Sequence, residues 1–292
     1  MKSDIECILC LFKQGLNTAR LITSESTVQR EILNRIASEV EKIDLNLSPA
    51  LLSKRIYTIV SEVTGIADPY HHAKEQSNKE ALRILPNVKR IITDSKDPLI
   101  TALHVAVAGN IIDLGIGHKF NLSEDINKLI LTPFAIDNSD EFKKELKTGR
   151  KLLYLGDNAG EIVFDRLLVE ELLKYSLDIT FCVKERPIIN DATMEDAKLA
   201  GLTDLVPVIT TGSDDIGVNL ERSSRQFIDT LNNSEIIIAK GHGNIETCIE
   251  FPQNFYFLLK AKCDVVSSAL KVKTGDIVFK HKPAIKQWTN EK

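Results

Sequence analysis

The residues best suited to chemistry follow four apolar runs in the second half of the chain. They form four motifs, GDNAGE at 156–161, ND at 190–191, TGSD at 211–214 and KGHGNIE at 240–246. Together they combine carboxylates, amides, glycines and one lysine, a set that suits a hard metal ion and a phosphate. If the apolar runs are parallel strands, the motifs meet beyond the carboxyl ends of those strands, where open α/β sheets bind ligands.

Two aspartates and an asparagine form the candidate metal site. Asp157 and Asp191 lie 34 residues apart, so they can follow neighbouring parallel strands, because a βαβ unit takes roughly 30 residues. Asn158 adds a neutral oxygen ligand. This oxygen set suits Mg²⁺ or Mn²⁺, with positions left for water and substrate. The alternative is that Asp157 and Asn158 only turn the chain and cap the next helix.

A lysine, a glutamate and a helix start are candidates for handling a phosphoryl group. Lys240 precedes a Gly-x-Gly turn and can reach a phosphate as a point charge, the alternative being a solvated lysine. Gly156 and Gly160 allow close approach of the backbone to a ligand, and the following helix would direct its N–H groups at an anion. Glu161 would favour the helix dipole or orient a metal-bound water. We therefore predict catalytic roles for Asp157, Glu161 and Lys240.

Two nucleotide-binding patterns are missing from the sequence. No G-x-G-x-x-G follows the first predicted strand, and Asn158 stands where its second glycine would be. A Walker A loop is absent at the same place. A nicotinamide-dependent or nucleotide-kinase function is therefore disfavoured.

Short apolar runs that alternate with helical segments place these motifs at strand ends. We predict strands at 152–155, 179–183, 206–209 and 236–239, a fifth at 265–266, and a helix over about 161–173. Such alternation is typical of βαβ units and of a parallel sheet covered on both faces. The predicted fold class is α/β, a three-layer Rossmann-like parallel sheet domain with an N-terminal all-helical domain.

The first half of the chain has helical periodicity instead. The apolar spacing, together with proline and glycine signals, predicts helices at 26–43, from 49 to 65, from 69 to 86 and from 98 onward. We predict a helical domain at 1–135 and a Rossmann-like α/β metal-binding domain at 150–292. The charged segment at 136–149 would be the junction between them.

Composition and charge exclude several classes of protein. The 292 residues carry a net charge of −4, and 43% of them are hydrophobic, which fits neither a disordered chain nor a broadly basic nucleic-acid binder. No apolar run approaches the ~20 residues that span a bilayer, and the acidic start does not resemble a signal peptide. Five scattered cysteines argue against a disulfide framework. They indicate a reducing compartment, so we expect a cytoplasmic protein.

Cysteine and histidine motifs elsewhere have simpler interpretations. Cys7 and Cys10 lie one helical turn apart, but a zinc site needs four ligands and no second pair is present. Two buried small residues are the expected case. We expect His71 and His72 to be exposed, and His104 to be a hydrogen-bonded residue of the core.

The strand-end motifs together resemble the metal-dependent damage-control phosphatase family, one member of which has also been described as an acidic-residue carboxyl methyltransferase. The residues that carry the similarity are GDNAGE at 156–161, PIINDAT at 187–193, KGHGNIE at 240–246, DPY at 68–70 and AGN at 108–110. The similarity spans about residues 4–279. The pair Cys7 and Cys10 resembles a mark of the short microbial-type branch.

The resemblance implies a Rossmann-like domain joined to a helical domain, with the site in the cleft between them. It implies a divalent metal (Mn²⁺, Ni²⁺, Co²⁺ or Mg²⁺) held by Asp157, Asn158 and Asp191. It also implies hydrolysis of phosphate monoesters of small metabolites, such as sugar phosphates or nucleotides, with Lys240 contacting the phosphate. His242 departs from the family pattern, where glutamine or another polar residue is expected, and this affects substrate contacts rather than metal ligands.

Substrate contacts are expected from strand ends and from the helical domain. The predicted residues are Lys240, Gly212, Ser213, Asn244, Lys74, Asn78, Asn110 and Asp113. The expected partner is a small phosphorylated metabolite, with neither a nucleic acid nor a membrane. The oligomeric state stays open, and so does the nucleophile, which is a metal-bound water or a carboxylate such as Asp157.

Two other functions remain alternatives. An S-adenosylmethionine-dependent carboxyl methyltransferase would fit the Rossmann-like pattern, although the first strand lacks a glycine-rich cofactor turn. A non-catalytic metal- or metabolite-binding protein would use the same ligands without turnover. Carboxylates and a lysine that converge on one cleft favour catalysis.

Overall fold

The amino-terminal region consists of helices, as predicted. The computed structural model describes residues 1–108, 128 and 130–285. Its first five helices are α1 (Ile5–Ile22), α2 (Ser26–Val40), α3 (Pro49–Thr64), α4 (His71–Thr93) and α5 (Pro98–Ala108). The Ser48 side chain caps α3, and Gly65 ends it with a φ of 72°. Across residues 1–108, 128 and 130–285, none of the helices is long and apolar enough to cross a membrane.

Helices α1, α2 and α3 enclose an apolar core of their own. Ile32, Ile36 and Ile56 are fully buried within it. Gly15 allows α1 to approach α2 closely, because a Cβ atom at this position would lie 2.2 Å from Cδ1 of Ile36. The three helices therefore pack as one bundle.

Pro86 lies inside α4 rather than at its end. The helix continues to Thr93, so the prediction that the proline ends it is wrong. Ile84, Val88 and Ile92 are buried in one apolar cluster on either side of the proline. This packing offsets the backbone hydrogen bond that a proline inside a helix removes.

A seven-stranded sheet forms the second half of the described chain. Its strands are β1 (Ile136–Asp137), β2 (Lys151–Leu155), β3 (Asp178–Val183), β4 (Val208–Thr210), β5 (Ile236–Lys240), β6 (Phe255–Lys260) and β7 (Ile277–Lys282). Their spatial order is β1-β7-β6-β5-β2-β3-β4. Every neighbouring pair is parallel except β6 and β7. The strand order reverses between β2 and β5, where open α/β sheets bind ligands.

Helices cover both faces of the sheet, which confirms the predicted α/β fold class. They are α6 (Ser139–Glu145), α7 (Glu161–Leu172), α8 (Met194–Leu199), α9 (Arg225–Asn233), α10 (Gly241–Cys248) and α11 (Asp264–Leu270). Side chains of β2 alternate between the two faces. Leu152 and Tyr154 join one core with α7, whereas Leu153 and Leu155 join a second core with α9 and α10.

One strand lies elsewhere than the sequence predicts. Val265 and Val266 belong to helix α11, so the fifth strand predicted there is wrong. The next strand after β5 is β6, whose first five residues are fully buried between β5 and β7. A run that is apolar at every position has no alternation, and periodicity alone does not distinguish it from other core segments.

The larger apolar core crosses the junction predicted from the sequence. Val88 of α4 and Leu103 of α5 belong to the same buried cluster as Tyr154 of β2 and Leu168 of α7. Helices α4 and α5 therefore form part of a layer on the sheet, whereas α1–α3 enclose a further core between them. The division into domains at 136–149 stays a prediction.

Candidate functional site

Backbone hydrogen bonding brings the two aspartates of the predicted metal site together. The N–H of Ala192 donates to the carbonyl oxygen of Asp157 at 2.8 Å. Asn158 and Asp191 pair as an isolated antiparallel bridge. The segments that follow β2 and β3 are thus joined at the carboxyl edge of the sheet, beside the point where the strand order reverses.

Gly241, the first residue after β5, makes room for the carboxylate of Asp157. It has a φ of 75°, and a Cβ atom at this position would lie 1.9 Å from Oδ2 of Asp157. Glycine adopts this left-handed conformation without strain and leaves the space open. The motif after β5 therefore contributes to the site because Gly241 has no side chain and leaves room for the carboxylate of Asp157.

The side-chain amide of Asn158 is oriented by two carboxylates. Its Nδ2 donates to Oδ2 of Asp157 at 3.1 Å and to Oε2 of Glu161 at 3.2 Å. An amide nitrogen has two donors, so these bonds use both and leave Oδ1 as the ligand atom suited to a cation. Glu161 is almost fully buried and reaches the predicted ligand set through Asn158.

Lys240 lies beneath the site and is not exposed. Its Nζ donates to Oε1 of Glu161 at 2.6 Å, to Oδ1 of Asp165 at 2.6 Å and to the carbonyl oxygen of Ala106 at 2.8 Å. An ammonium group has three donors, and protein acceptors use all three. In this arrangement Lys240 balances two buried carboxylates and positions Glu161. Its predicted contact with phosphate stays a prediction, and these bonds would have to rearrange for it.

Burial and neighbouring charges shift the pKa values of both Asp165 and Lys240. Burial raises the pKa of Asp165 to about 6, and the charge of Lys240 opposes this rise. Burial also acts to lower the pKa of Lys240, but the charges of Asp165 and Glu161 outweigh it and raise that pKa above its usual value. Lys240 is therefore cationic across the physiological pH range.

Lys184 is a buried cation beside Asp191 that the sequence prediction did not include. Its Nζ lies 3.8 Å from Oδ2 of Asp191 and donates to the carbonyl oxygen of Gly217. Burial raises the pKa of Asp191 to about 6, against the charge of Lys184. Lys184 directly follows β3, so its position at a strand end is the signal that identifies it.

The acidic groups at this edge create surroundings that suit a cation. Burial, reinforced by the charges of Glu161 and Asp191, raises the pKa of Asp157 well above its usual value. Asp157 and Asn158 are partly exposed, whereas Asp191 is buried. Two carboxylates and an amide oxygen at a partly open edge form a donor set for a hard divalent cation.

Water or substrate would have to complete such a coordination shell. Within residues 1–108, 128 and 130–285, no three His, Cys, Asp or Glu side chains form a metal centre by themselves. The candidate metal ligands are the carboxylates of Asp157 and Asp191 and the amide oxygen of Asn158. Hard cations such as Mg²⁺ are commonly held by one or two carboxylates and keep several waters.

An exposed lysine that the sequence prediction missed lies near Asp157. Lys262 follows β6, the strand beside β5, and its charge acts to lower the pKa of Asp157. Its side chain is open to solvent, unlike that of Lys240. Because β6 was not predicted to be a strand, the residues at its end were not considered as candidates.

His242 is held by the same segment. Its Nε2 accepts a hydrogen bond from the N–H of Lys262 at 2.9 Å. Burial, assisted by the charge of Lys262, lowers the pKa of His242 to about 4. The imidazole is therefore neutral at pH 7, and its Nδ1, 3.7 Å from Oε1 of Glu246, forms no ion pair with that residue.

Two residues of α4 connect the helical region to the site. Asn78 accepts a hydrogen bond from the N–H of Gly160 at 2.7 Å and donates to Oδ1 of Asp196 at 2.7 Å. Lys74 is buried, with Nζ 3.8 Å from Oδ2 of Asp196. Both side chains are engaged by protein groups, so their predicted substrate contacts stay predictions. Two other residues predicted to contact substrate lie outside the described part of the chain, Asn110 and Asp113.

The first N–H groups of α7 are also used by the protein. Gly160 donates to Asn78, Ile162 donates to the carbonyl oxygen of Asn158 at 3.2 Å, and Val163 donates to that of Gly160 at 3.3 Å. The helix dipole still favours negative charge at this end. The sequence predicts that N–H groups at this helix start contact an anion, but these three already donate to protein acceptors.

Three further residues predicted to bind substrate support neighbouring loops. Asn244 is buried, and its Nδ2 donates to the carbonyl oxygens of Gly156 and Lys240 at 3.2 and 2.8 Å, which ties the ends of β2 and β5. Gly212 and Ser213 follow β4, and Ser213 is buried. The structure places all three near strand ends, as expected, and their role in binding stays a prediction.

Ile189 has a strained backbone close to Asp191. Its φ of 41° is rare for a β-branched residue. It packs with Tyr57 of α3 against the buried residues Ile188 and Ile216. Strained conformations persist where the surrounding structure imposes them, so packing against α3 holds the loop that carries Asp191.

The cysteine and histidine predictions have mixed outcomes. Cys7 is buried, but Cys10 is exposed, so the expectation that both are buried is wrong for Cys10. His104 is buried, and its ring nitrogens lie 2.9 and 3.1 Å from the backbone carbonyl oxygens of Ile100 and Thr132, so it is a hydrogen-bonded residue of the core, as predicted. His71 and His72 are exposed, as predicted, although they lie in the first turn of α4.

A family model covers almost the whole chain. Residues 3–278 match the model described as the damage-control phosphatase ARMT1-like domain. Because the match includes both the helical region and the sheet, every residue of the candidate site lies within it.

Relatives and a solved structure agree with this match. A protein of Methanocaldococcus jannaschii described as uncharacterized is 38% identical, over 96% of this chain and 95% of its own length. Proteins named damage-control phosphatase from Pyrococcus horikoshii and Archaeoglobus fulgidus are each 36% identical, over 95% and 96% of this chain and 97% and 99% of their own lengths. The crystal structure of a DUF89 family protein from Pyrococcus horikoshii has a TM-score of 0.89 at 35% identity, covering 96% of this chain and 98% of that one.

Proposed function

Because this chain belongs to the damage-control phosphatase ARMT1-like domain family, we propose that it is a divalent-metal-dependent phosphatase acting on phosphate monoesters of small metabolites. Its relatives named damage-control phosphatase support a phosphatase-type function. The metal dependence rests on one observation, which is that Asp157, Asn158 and Asp191 lie together at the switch point of the sheet.

The metal would be held by the carboxylates of Asp157 and Asp191 and by Oδ1 of Asn158. Mn²⁺, Ni²⁺, Co²⁺ and Mg²⁺ are the candidates. When bound, a divalent cation supplies charge that polarises a phosphoryl oxygen and lowers the pKa of a bound water. The chain fixes the orientation of Asn158 in advance through Glu161, which accepts a hydrogen bond from Nδ2.

Protein side chains would hold the phosphoryl group next to this site. Lys262 is exposed beside Asp157 and can contact a phosphate oxygen as a charged donor. Lys240 acts one layer below, where its hydrogen bond to Oε1 holds Glu161 in place. Preorganised charge of this kind stabilises the negative charge that develops during phosphoryl transfer.

The test is phosphate release from p-nitrophenyl phosphate and a sugar-phosphate panel after chelation and reloading with each of the four metals. We expect activity only with metal, and a loss of at least about a hundredfold, the order typical of a lost catalytic group, in Asp157→Asn and Asp191→Asn. Asp178→Asn, at the opposite end of β3, is the matched control. Calorimetric titration of metal into each variant gives a readout that is independent of turnover.

Two outcomes would contradict the proposal. One is equal activity of the wild type and Asp157→Asn, and the other is a wild type that is inert with every metal. If the inert protein bound S-adenosylmethionine tightly, the methyltransferase alternative would take its place. If the inert protein bound metal without turnover, a non-catalytic metal-binding function would replace the phosphatase function.

A further inference from the structure

Helix α3 places Tyr57 beside the loop that carries Asp191. Tyr57 is partly exposed, and its ring packs with Ile189 against the cluster around Ile188. It therefore contacts the segment that leads to Asp191. Burial, assisted by the charges of Tyr70 and Asp191, raises the pKa of Tyr57 well above its usual value, so the phenol keeps its proton.

Helix α1 takes up the proton of this phenol. The hydroxyl of Tyr57 donates to Oε1 of Gln14 at 3.3 Å. Gln14 is itself fixed, because its Nε2 donates to Sγ of Cys10 at 3.2 Å. A phenol has one proton and also accepts hydrogen bonds. With the proton committed to Gln14, the oxygen of Tyr57 is left to act as an acceptor.

Tyr70 repeats this pattern beside Tyr57. Its ring meets that of Tyr57 edge to face, with centroids 6.4 Å apart. The hydroxyl of Thr18 donates to the carbonyl oxygen of Gln14 at 2.9 Å. The 2.9 Å bond between Thr18 and Tyr70 must therefore take its proton from Tyr70. Helix α1 thus accepts both phenol protons.

We propose that Tyr57, held by Gln14, is a specificity-determining residue whose phenol oxygen accepts a hydrogen bond from a hydroxyl group on the organic part of the substrate. This selects hydroxylated phosphate esters over esters without a hydroxyl donor. The inference rests on the proposed phosphatase function, because it concerns the part of the substrate that extends from the phosphate towards α3. The aromatic rings of Tyr57 and Tyr70 would pack against the C–H groups of such a substrate.

The test compares Tyr57→Phe with the wild type on a hexose 6-phosphate and on p-nitrophenyl phosphate, whose organic part has no hydroxyl. The substitution removes the acceptor and keeps the ring. We expect KM for the hexose phosphate to rise about tenfold, the size of one lost hydrogen bond, with kcat little changed. KM for p-nitrophenyl phosphate should stay within about twofold. Tyr175→Phe, in the 3-10 turn after α7, is the matched control.

A second variant tests the role of Gln14. Gln14→Leu removes the acceptor for the phenol proton, so Tyr57 can then donate as well as accept. The preference for the hexose phosphate over p-nitrophenyl phosphate should fall severalfold. A structural role for Gln14 would change both substrates equally, and thermal unfolding would report it.

The outcomes separate this inference from the function on which it rests. A wild type that is inert towards both esters overturns the phosphatase function and the inference together. A wild type active on both esters, with Tyr57→Phe altering their KM values equally or not at all, overturns the inference alone. A selective rise in KM for the hexose phosphate supports it.

Discussion

Nζ of Lys240 lies 2.6 Å from Oδ1 of Asp165, and both side chains are fully buried. The hydroxyl of Tyr154 donates to the same oxygen at 2.8 Å. The other carboxylate oxygen, Oδ2, has no hydrogen-bond partner among the described residues. The charges of Lys240 and Asp165 are thus buried where water does not screen them. The stability of the fold therefore depends on Lys240, Asp165 and Tyr154 together.

Removing the cation from this group should destabilise the protein strongly. Lys240→Met leaves Asp165 and Glu161 buried without their partner, and breaking such a pair is expected to lower the free energy of unfolding by about 3–5 kcal/mol. Urea denaturation followed by circular dichroism measures the loss. Adding Asp165→Asn to the variant should recover part of it. A stable Lys240→Met protein with a raised KM would instead favour the phosphate contact predicted from the sequence.

Lys262 should affect substrate binding more than folding. It is exposed beside Asp157, so Lys262→Ala should raise KM for phosphate esters about tenfold, the size of one charged hydrogen bond. Stability should change by less than about 0.5 kcal/mol, as is usual for a surface substitution. Steady-state kinetics at low and high salt measure the effect, with the exposed Lys273→Ala as control. Equal KM values for the two variants would remove Lys262 from the site.

Glu246 should make stability depend on pH. Burial raises its pKa from the usual 4.5 to about 7, although the N–H of Ala50 and the amino terminus act the other way. A carboxyl group whose pKa is raised on folding contributes stability that is fully present below the unfolded pKa. That contribution is lost as pH rises through about 7. Glu246→Gln cannot ionise, so the variant should gain stability relative to the wild type over this range.

The gain has an upper limit set by the size of the shift. Each pKa unit corresponds to about 1.4 kcal/mol, so the relative gain should approach about 3 kcal/mol by pH 8. Urea denaturation at pH 4.5, 6 and 8 measures it. Glu250→Gln serves as control because the Glu250 side chain is 75% exposed. A difference between Glu246→Gln and the wild type that stays constant with pH would show that Glu246 titrates normally.

Asn78 should be needed for both stability and activity. Asn78→Ala removes the acceptor for the N–H of Gly160 and the donor to Asp196, which leaves two buried partners unsatisfied. The expected cost is about 1–3 kcal/mol for each such group. Activity should also fall, since Gly160 directly precedes α7 and Glu161. Thermal unfolding and phosphatase assays check both effects, with Asn34→Ala on the exposed face of α2 as control. Unchanged stability would rule out this connection.

The sequence predicts the fold and the position of the site where local patterns carry the information. The runs before Asp157 and Lys240 are short and apolar, and each ends in a glycine-containing motif, so the strands and their carboxyl ends are visible in the sequence. The segment with Phe255 is also a strand, but no glycine-containing motif follows it. Lys262 follows this strand, which is why the sequence did not indicate it.

The partners of the site residues depend on contacts that are distant in sequence. The acceptors of Lys240 include Ala106 and Asp165, which lie 134 and 75 residues away. No local spacing predicts that these atoms converge on one ammonium group. Asn78 is a second example, because its hydrogen bond with the N–H of Gly160 joins residues 82 positions apart in the sequence. The sequence therefore predicts which residues gather at the site better than it predicts what each one touches.

The core that α4 and α5 share with the sheet determines how the gene can be divided for expression. A fragment that starts at residue 150 would lose both helices and leave the apolar side chains of α7 and β2 open to water. Large exposed apolar patches promote aggregation, so such a fragment should be insoluble. A fragment that starts at residue 66 would keep this shared core but would lose α1–α3, and with them the packing of α3 against the loop that carries Asp191. Truncations that remove α1–α3 should therefore begin before α4.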